Sequence, residues 1–230
     1  MSFSVSPFML FTDGMLSWPP DPDAWSLRWY KNMIGNCSAD VVSSTVPCSN
    51  KWMIGTVNSF FIGFVATFIA TTLGTLAALG LSRPHMPYKG LIMAILISPM
   101  IVPLIITAAG MFFFYARINL VYSFTGIILA HVALATPFVV ITVTATLVGF
   151  DMNMVKASQS LGARPVRTFF KVIMPLILPG VISGALFAFI TSFDEVVIVM
   201  FMASLDQLTI PKQMWAGIRQ EISPVILCMA

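Results

Sequence analysis

Long stretches without a charged side chain alternate with short polar segments along most of this chain. Four of these stretches exceed twenty residues, at 52–82, 90–116, 118–150 and 172–193. A helix needs ~20 predominantly apolar residues to cross the hydrocarbon core of a bilayer, and the stretches lack the alternation of barrel strands. Because backbone groups find no water in the bilayer, we predict an all-α, polytopic bundle with about four complete spans.

Charged side chains are rare in this sequence, which supports the same prediction. They make up 9% of the residues and the mean hydropathy is +0.92, whereas a soluble domain is ~25% charged. The net charge of +3 comes from basic residues scattered through the polar segments, so no nucleic-acid-binding surface is expected. The sequence has neither a Gly-x-x-x-x-Gly-Lys-Ser/Thr motif nor a metal-ligand spacing of His, Cys and acidic residues. We therefore expect no ATP hydrolysis by this chain, no metal and no cofactor.

The two ends of the sequence do not resemble complete spans. An uncharged segment at 222–230 starts like another span and stops. The first 20 residues are aromatic and rich in Pro, and they lack the basic head and apolar core of a signal peptide. We expect the sequence to be a fragment, or to begin at a misplaced start codon. In either case it would lack a first span and most of a last one. On this division, residues 1–51 are an extracytoplasmic segment and residues 52–230 the transmembrane domain.

Basic residues near the ends of the spans predict the orientation of the chain. The two alternating sets of loops carry six Lys or Arg each, but the set with segment 151–171 packs its six into far fewer residues. We therefore place 151–171 in the cytoplasm and 1–51 outside. Cys37 and Cys48 would then lie in an oxidising compartment, where they form either a disulfide bond or two unpaired thiols.

A polar, basic island at 151–179 separates two of the apolar stretches. Asp151 is suited to cap a helix that starts at the next residue, Gly162 to end that helix in a left-handed conformation, and Pro165 to begin a second helix. The sequence thus predicts a cytoplasmic helix pair that leads through Pro175 into the next span. Such a pair either docks a partner protein or rests as an amphipathic hairpin on lipid head groups.

The residues of this island resemble the EAA loop of ABC-importer permeases. That motif consists of Glu-Ala-Ala, three residues, Gly, nine residues, Ile, one residue and Leu-Pro. Ala157, Gly162 and Pro175 match it, and Lys156 replaces its acidic residue by a basic one. Close substitutes occur at Ser158, Val172 and Met174. The resemblance implies that the loop is a coupling helix seated in a cleft of an ATP-binding subunit, through Lys156, Ala157, Ser158, Leu161, Gly162, Ala163 and Pro175.

Further segments resemble the polyamine (spermidine/putrescine) branch of these permeases, and specifically the second of its two permease subunits. These segments include Ser26–Tyr30, Asn58-Ser59, Pro99–Pro103, His131, Pro137–Val140, Ser192–Glu195, Met214-Trp215 and Ile218–Pro224. The resemblance implies the fold of a type I ABC importer permease with six spans per subunit. This chain would hold spans two to five and the start of the sixth.

The resemblance implies a membrane-spanning permease subunit that imports a polyamine or a similar small organic cation by alternating access. It would have no enzymatic activity of its own, because ATP hydrolysis belongs to separate ATP-binding subunits. Its other partners would be a second permease subunit, an extracytoplasmic solute-binding protein and membrane lipid, in a bacterial inner membrane. The alternatives are a permease for another small solute, such as an opine, an amino-acid derivative or a metal complex, and an ion-coupled secondary transporter.

An adjacent acidic pair, Asp194 and Glu195, follows the stretch at 172–193. At 1.5 Å per helical residue the pair lies about 33 Å from residue 172, near the outer mouth of the predicted bundle. Acidic groups there either attract a polycation or pair with basic residues of a partner. Trp215 is a further candidate for the substrate pathway through cation–π contact, or else an anchor at the membrane interface.

Four residues within the apolar stretches carry further expectations. His131 is either a packing residue or part of a proton relay. Pro99, Pro103 and Pro137 are expected to kink helices around a central cavity, where neighbouring helices can satisfy the freed backbone groups.

Overall fold

Helices follow one another through the computed structural model, which describes residues 50–83, 86–149, 151, 153–220 and 226. No strand occurs in these residues, as the all-α prediction requires. The helices are α1 (Lys51–Leu81), α2 (Lys89–Ile101), α3 (Leu104–Arg117), α4 (Phe124–Val148), α5 (Asn153–Ser160), α6 (Pro165–Thr168), α7 (Met174–Phe193), α8 (Val197–Met202) and α9 (Ile210–Gln220). A π-helical turn (Phe169–Ile173) joins α6 to α7, and a 3₁₀ turn (Leu205–Gln207) precedes α9. Cys37 and Cys48 lie outside the described residues.

Three helical segments of the described chain are long and apolar enough to cross a membrane. They are α1, α4 and the continuous stretch Pro165–Phe193, which combines α6, the π-helical turn and α7. Helices α2 and α3 make a fourth span if the two are counted together. The predicted number of about four spans is therefore matched when this broken pair is counted as one.

The second apolar stretch forms two helices rather than one straight span. The axes of α2 and α3 differ by 102° at the break between them. Pro103 has no N–H to donate to the carbonyl of Pro99, so a helix cannot continue through it with its bonds intact. Pro99 itself lies inside α2, where the hydroxyl of Ser98 donates to the carbonyl of Ile95 at 2.8 Å and replaces the N–H that Pro99 lacks. The strongest kink therefore falls at Pro103, whereas Pro137 lies within α4 without ending it.

Small residues make the contact between α4 and α7 unusually close. The buried residues of α7 form one stripe, at Ile177, Gly180, Gly184, Ala188 and Ser192. A methyl group added at Gly184 would lie 2.5 Å from the hydroxyl oxygen of Thr142 and 3.1 Å from the Cα of Val139. One added at Gly180 would meet the hydroxyl of Thr146. Glycines allow two helix backbones to approach in this way, and close packing is what holds helices together in lipid.

The chain forms two compact units. One comprises Met1–Phe60 together with Ala203–Ala230, and the other comprises Phe61–Met202. The second unit holds α2 to α8, including the contact between α4 and α7. The predicted division after residue 51 stays a prediction, because residues 1–49 lie outside the described part.

Replacing Gly184 by Ala is expected to lower the thermal stability of the protein in detergent. The added methyl group has no room against α4, and overpacking of this kind costs about 1–3 kcal/mol. Gly110→Ala in α3 is the matched control, because a methyl group there meets nothing within 4 Å and Ala favours a helix over Gly. The measurement is the unfolding midpoint of both variants, and a midpoint for Gly184→Ala equal to that of the unaltered protein would contradict the close contact.

Candidate functional site

The polar island folds into the helix pair that the sequence predicts, here called the hairpin (residues 153–168). At its start, the Oδ1 of Asp151 accepts a hydrogen bond from the N–H of Asn153 at 2.9 Å. The described part of α5 begins at that residue. Pro165 is the first residue of α6, where an N–H would have no helical partner. Both predicted start signals are therefore confirmed.

The turn of the hairpin is closed by a Schellman motif around Gly162. This glycine has a φ of +80°, in the left-handed region. Its N–H donates to the carbonyl of Gln159 at 2.9 Å, and the N–H of Ala163 donates to the carbonyl of Ser158 at 3.1 Å. The hydroxyl groups of Ser158 and Thr168 then link the two helices at 2.6 Å. Ser158 thus faces the inside of the hairpin rather than its outer surface.

The outer surface of the hairpin combines apolar and basic side chains. Leu161 is 88% exposed, although a leucine normally contributes to a core. The exposed apolar and basic residues are Met154, Ala157, Leu161, Val166, Lys156, Arg164 and Arg167, and Asn153, Gln159, Ser160, Gly162 and Pro165 are exposed beside them. Of the predicted coupling residues, Lys156, Ala157, Leu161, Gly162 and Pro175 are exposed, whereas Ser158 and Ala163 are half-buried.

The hairpin continues into the following span without a break. Helix α6, the π-helical turn and α7 form one stretch of 29 residues. In the π-helical turn, the N–H of Met174 donates to the carbonyl of Phe169, five residues earlier. This change of register comes directly before Pro175, which lies in the first turn of α7. A displacement of the hairpin can therefore pass along one helix into the membrane.

The two members of the acidic pair have different surroundings. Asp194 ends α7 and is exposed, and its N–H donates to the carbonyl of Ile190 at 3.0 Å. Glu195 is buried, and its Oε1 accepts a hydrogen bond from the N–H of Ile198 at 2.9 Å, which caps the start of α8. Burial raises the pKa of Glu195, and the negative charge of Asp194 adds to this rise, while the N–H groups of Ile198 and Val197 oppose it. Glu195 thus holds the backbone, and Asp194 is available to a ligand.

Asp194 faces an open cleft of about 360 Å³. Most of the cleft wall is apolar, and the polar groups come from the acidic pair and from Thr191. The lining residues are Leu104, Ile190, Thr191, Asp194, Glu195, Val196 and Val197. A volume of this size suits a small ligand, and the negative charge of Asp194 favours a cation.

His131 lies in the interior of the second unit and binds α7. Its Nδ1 is 2.8 Å from the hydroxyl oxygen of Ser192, and the residue is 1% exposed. Its Nε2 has no hydrogen-bond partner among the described residues. Ser192 was not singled out as its partner from the sequence, because the two residues are 61 positions apart. In the described residues no three His, Cys, Asp or Glu side chains are placed to hold a metal ion.

In the first unit, polar residues near the start of α1 hold the segment that leads into α9. The side-chain amide of Asn58 donates to the carbonyls of Asp206 and Leu208, at 3.0 Å each. The hydroxyl of Ser59 accepts from the N–H of Ile210 at 2.8 Å. In the sequence, Asn58 and Ser59 are marked only by the family resemblance, and their partners follow them by about 150 residues.

Trp215 lies on α9, in the same unit, and about half of its surface is exposed. Helix α9 is amphipathic, with Lys212 half-buried and donating to the carbonyl of Ala203 at 3.2 Å. Burial lowers the pKa of Lys212. Exposure of the Trp215 ring fits an interfacial anchor as well as a ligand contact, so its place in the substrate pathway stays a prediction.

Comparison with known proteins gives concordant matches. Residues 70–230 match the family described as "Binding-protein-dependent transport system inner membrane component". The spermidine/putrescine transport permease PotC of Haemophilus influenzae is 28% identical over 215 residues, which are 94% of this chain and 77% of the relative. PotC of Escherichia coli K12 is 30% identical over 167 residues, 73% of this chain and 63% of the relative. The putrescine permease PotI of the same strain is 28% identical over 214 residues, 90% of this chain and 71% of the relative.

Replacing Glu195 by Ala is expected to lower thermal stability by about 1 kcal/mol, because the N–H of Ile198 loses the carboxylate that caps α8. Glu195→Gln is the control, since the amide oxygen can still accept that hydrogen bond. The measurement is the thermal unfolding midpoint of the two variants in detergent. Equal midpoints for Ala and Gln at this position would show that the cap contributes nothing.

Proposed function

Since the chain belongs to the family of binding-protein-dependent transport system inner membrane components, we propose that it couples ATP hydrolysis in separate subunits to the import of a small organic cation. It is a multi-pass membrane protein of α-helices, and its relatives are permease subunits of transport systems. The proposed assembly contains this chain, a second permease subunit, two ATP-binding subunits and an extracytoplasmic solute-binding protein.

The observation that carries this proposal is the hairpin with its exposed apolar surface. Leu161, Met154 and Val166 are exposed in this chain, at the cytoplasmic end of the predicted topology. An exposed apolar group flanked by basic residues supports docking into a partner. Because the hairpin runs into α7 as one helix, movement of the docked ATP-binding subunit would tilt α7 and change access to the cleft at its other end.

The cargo that the cleft supports best is a polyamine. The relatives are named for spermidine and putrescine, which carry ammonium groups separated by methylene chains. The cleft offers the carboxylate of Asp194 beside apolar walls at Ile190 and Val196. The carboxylate of the cleft suits an ammonium group of a linear polyamine, and the apolar walls suit its methylene groups. Walls of low dielectric constant also strengthen the attraction of the ammonium group to Asp194.

Replacing Gly162 by Glu is expected to uncouple ATP hydrolysis from transport while membrane insertion stays intact. A bulky acidic side chain would stand on the docking surface, and the left-handed backbone there disfavours any side chain except that of Asn or Asp. The measurement is the number of substrate molecules imported per ATP hydrolysed by the assembled transporter in proteoliposomes.

Gly162→Asn serves as the control for this experiment, because Asn tolerates the left-handed conformation and adds no charge. We expect it to keep coupling close to that of the unaltered protein. If Gly162→Glu also kept normal coupling, the hairpin would not be the element that transmits force.

Replacing Asp194 by Asn is expected to lower spermidine uptake about fivefold, since one ion pair at a partly exposed site contributes about 1 kcal/mol. Assembly with the ATP-binding subunits should not change, because the Asp194 side chain makes no hydrogen bond or ion pair among the described residues. Asp206→Asn, in the other compact unit, is the charge-matched control. Uptake at the unaltered rate in the Asp194 variant would remove Asp194 from the substrate pathway.

A further inference from the structure

The charged side chains of the hairpin and of the turn after it are almost all of one sign. The basic residues between positions 151 and 193 are Lys156, Arg164, Arg167 and Lys171, and all four are exposed. Asp151 is the one carboxylate in that part of the sequence. It is engaged at the start of α5, where its Oδ1 accepts from the N–H of Asn153. The hairpin therefore presents a basic surface, which is complementary to a partner surface that carries negative charge.

The packing of the two short helices holds Lys156 on the outer side of the hairpin. The hydroxyl of Ser158 meets that of Thr168 at 2.6 Å, so this side of α5 faces α6. Lys156 comes two residues earlier, which is about 200° around an α-helix, and it therefore lies on the opposite side of α5. The hydroxyl of Ser160 is engaged with the carbonyl of Lys156 at 3.0 Å. The amine of Lys156 is thus the charged group that α5 offers to a partner.

An apolar stripe runs beside this basic side of α5. Met154, Ala157 and Leu161 are spaced three and four residues apart, which places them along one side of a helix. The N–H of Leu161 donates to the carbonyl of Ala157 at 3.1 Å, so the helical bonding continues as far as Leu161. All three residues are exposed. A stripe of this kind, bordered by positive charge, fits a groove that has an apolar floor and an acidic rim.

The length of the following span places the turn of the hairpin outside the lipid. Residues 172–193 are uncharged and extend about 33 Å, which is enough for the ~30 Å of hydrocarbon. Pro165 begins the same continuous helical stretch six residues before Lys171, about 9 Å further out. Head groups add only about 5–7 Å on each side of the hydrocarbon. These lengths favour a protein surface, rather than lipid, as the partner of Leu161 and Arg164.

We propose that the ATP-binding subunit receives the hairpin in a groove whose floor is apolar and whose rim carries carboxylates that pair with Lys156 and Arg164. Leu161 would fill the floor of this groove. The inference rests on the proposed function for the identity of the partner, and it adds the charge that the partner must present. It also gives Lys156, a basic residue where the EAA motif has an acidic one, a role in specificity. A basic side chain at this position disfavours ATP-binding subunits whose groove is itself basic.

The test measures how fast the ATP-binding subunit associates with this chain and its second permease in nanodiscs of neutral phosphatidylcholine. We expect Lys156→Glu and Arg164→Glu each to slow association about tenfold at low salt, because reversal turns attraction into repulsion. Raising the salt concentration to about 0.5 M should narrow the difference, since the charges are then screened. Lys89→Glu is the matched control and should associate at the unaltered rate. Lys89 is exposed on the same side of the predicted topology but lies outside the hairpin.

A zero-length cross-linker gives a second measurement that needs no charge reversal. A water-soluble carbodiimide activates a carboxylate, and the amine of Lys156 then displaces the activating group as a urea and forms an amide. We expect a peptide of the ATP-binding subunit joined to Lys156 in the assembled transporter, identified by mass spectrometry. Lys156→Arg is the control, because a guanidinium keeps the positive charge but forms no such amide. Its cross-link should disappear while association persists.

The outcomes separate this inference from the proposed function. If the unaltered permease pair binds the ATP-binding subunit, but Lys156→Glu associates as fast as Lys89→Glu or no cross-link forms at Lys156, the acidic rim is overturned and the proposed function stands. If Lys156→Glu differs only in nanodiscs that contain anionic phosphatidylglycerol, the basic residues face lipid and the inference is overturned. If the unaltered pair binds no ATP-binding subunit, the proposed function falls and the inference falls with it.

Discussion

The structure depends on one constraint, which is that the bilayer offers the backbone no hydrogen-bond partners. Long helices meet this constraint in most of the described chain. Where a helix stops or is interrupted, a specific group takes over the missing bond: the hydroxyl of Ser98 beside Pro99, the turn around Gly162 and the carboxylate of Glu195 at α8. At Pro103 the helix is interrupted, and no described residue donates to the carbonyls of Pro99 to Val102.

The contact between α4 and α7 gives this arrangement its rigidity. Gly180 and Gly184 bring the two backbones so close that Thr142 and Val139 leave no room for a side chain. The hydrogen bond between His131 and Ser192 adds a fixed point near the Asp194 end of α7. Helices held by close packing and buried hydrogen bonds move as a unit rather than bend. Helix α7 therefore has the hairpin at one end and Asp194 at the other, so the proposed coupling surface and the proposed cation site are linked by one helix.

The acidic pair illustrates how surroundings divide two similar side chains between two roles. Asp194 and Glu195 are adjacent and carry the same charge, but only Asp194 is exposed in the cleft. Glu195 turns inward to the N–H of Ile198. Val196 and Val197 line the cleft at the start of α8. Because Glu195 fixes the start of this helix, it also fixes the position of these two residues. A buried structural carboxylate thus supports the neighbouring carboxylate that is proposed to meet the ligand.

The sequence by itself determined the class of the fold, the positions of the spans and the ends of the hairpin. These features follow from local chemistry, because hydropathy over ~20 residues, a capping Asp151, a left-handed Gly162 and an initiating Pro165 act within a few positions of themselves. The family expected from the hairpin motif is confirmed by the match over residues 70–230. The sequence also predicts a kink at Pro103, but not a bend of 102°.

Only the tertiary structure decided which polar residues meet. His131 pairs with Ser192, and Leu104 of one helix shares a cleft with Asp194 of another. It also separated the exposed Asp194 from the buried Glu195, and turned Ser158 away from the proposed docking surface toward Thr168. These contacts join residues that are far apart in the chain or that differ only in the direction of a side chain. They depend on how closely the helices pack, and that distance is set by the glycines of α7 acting together with their partners on α4 rather than by any local pattern.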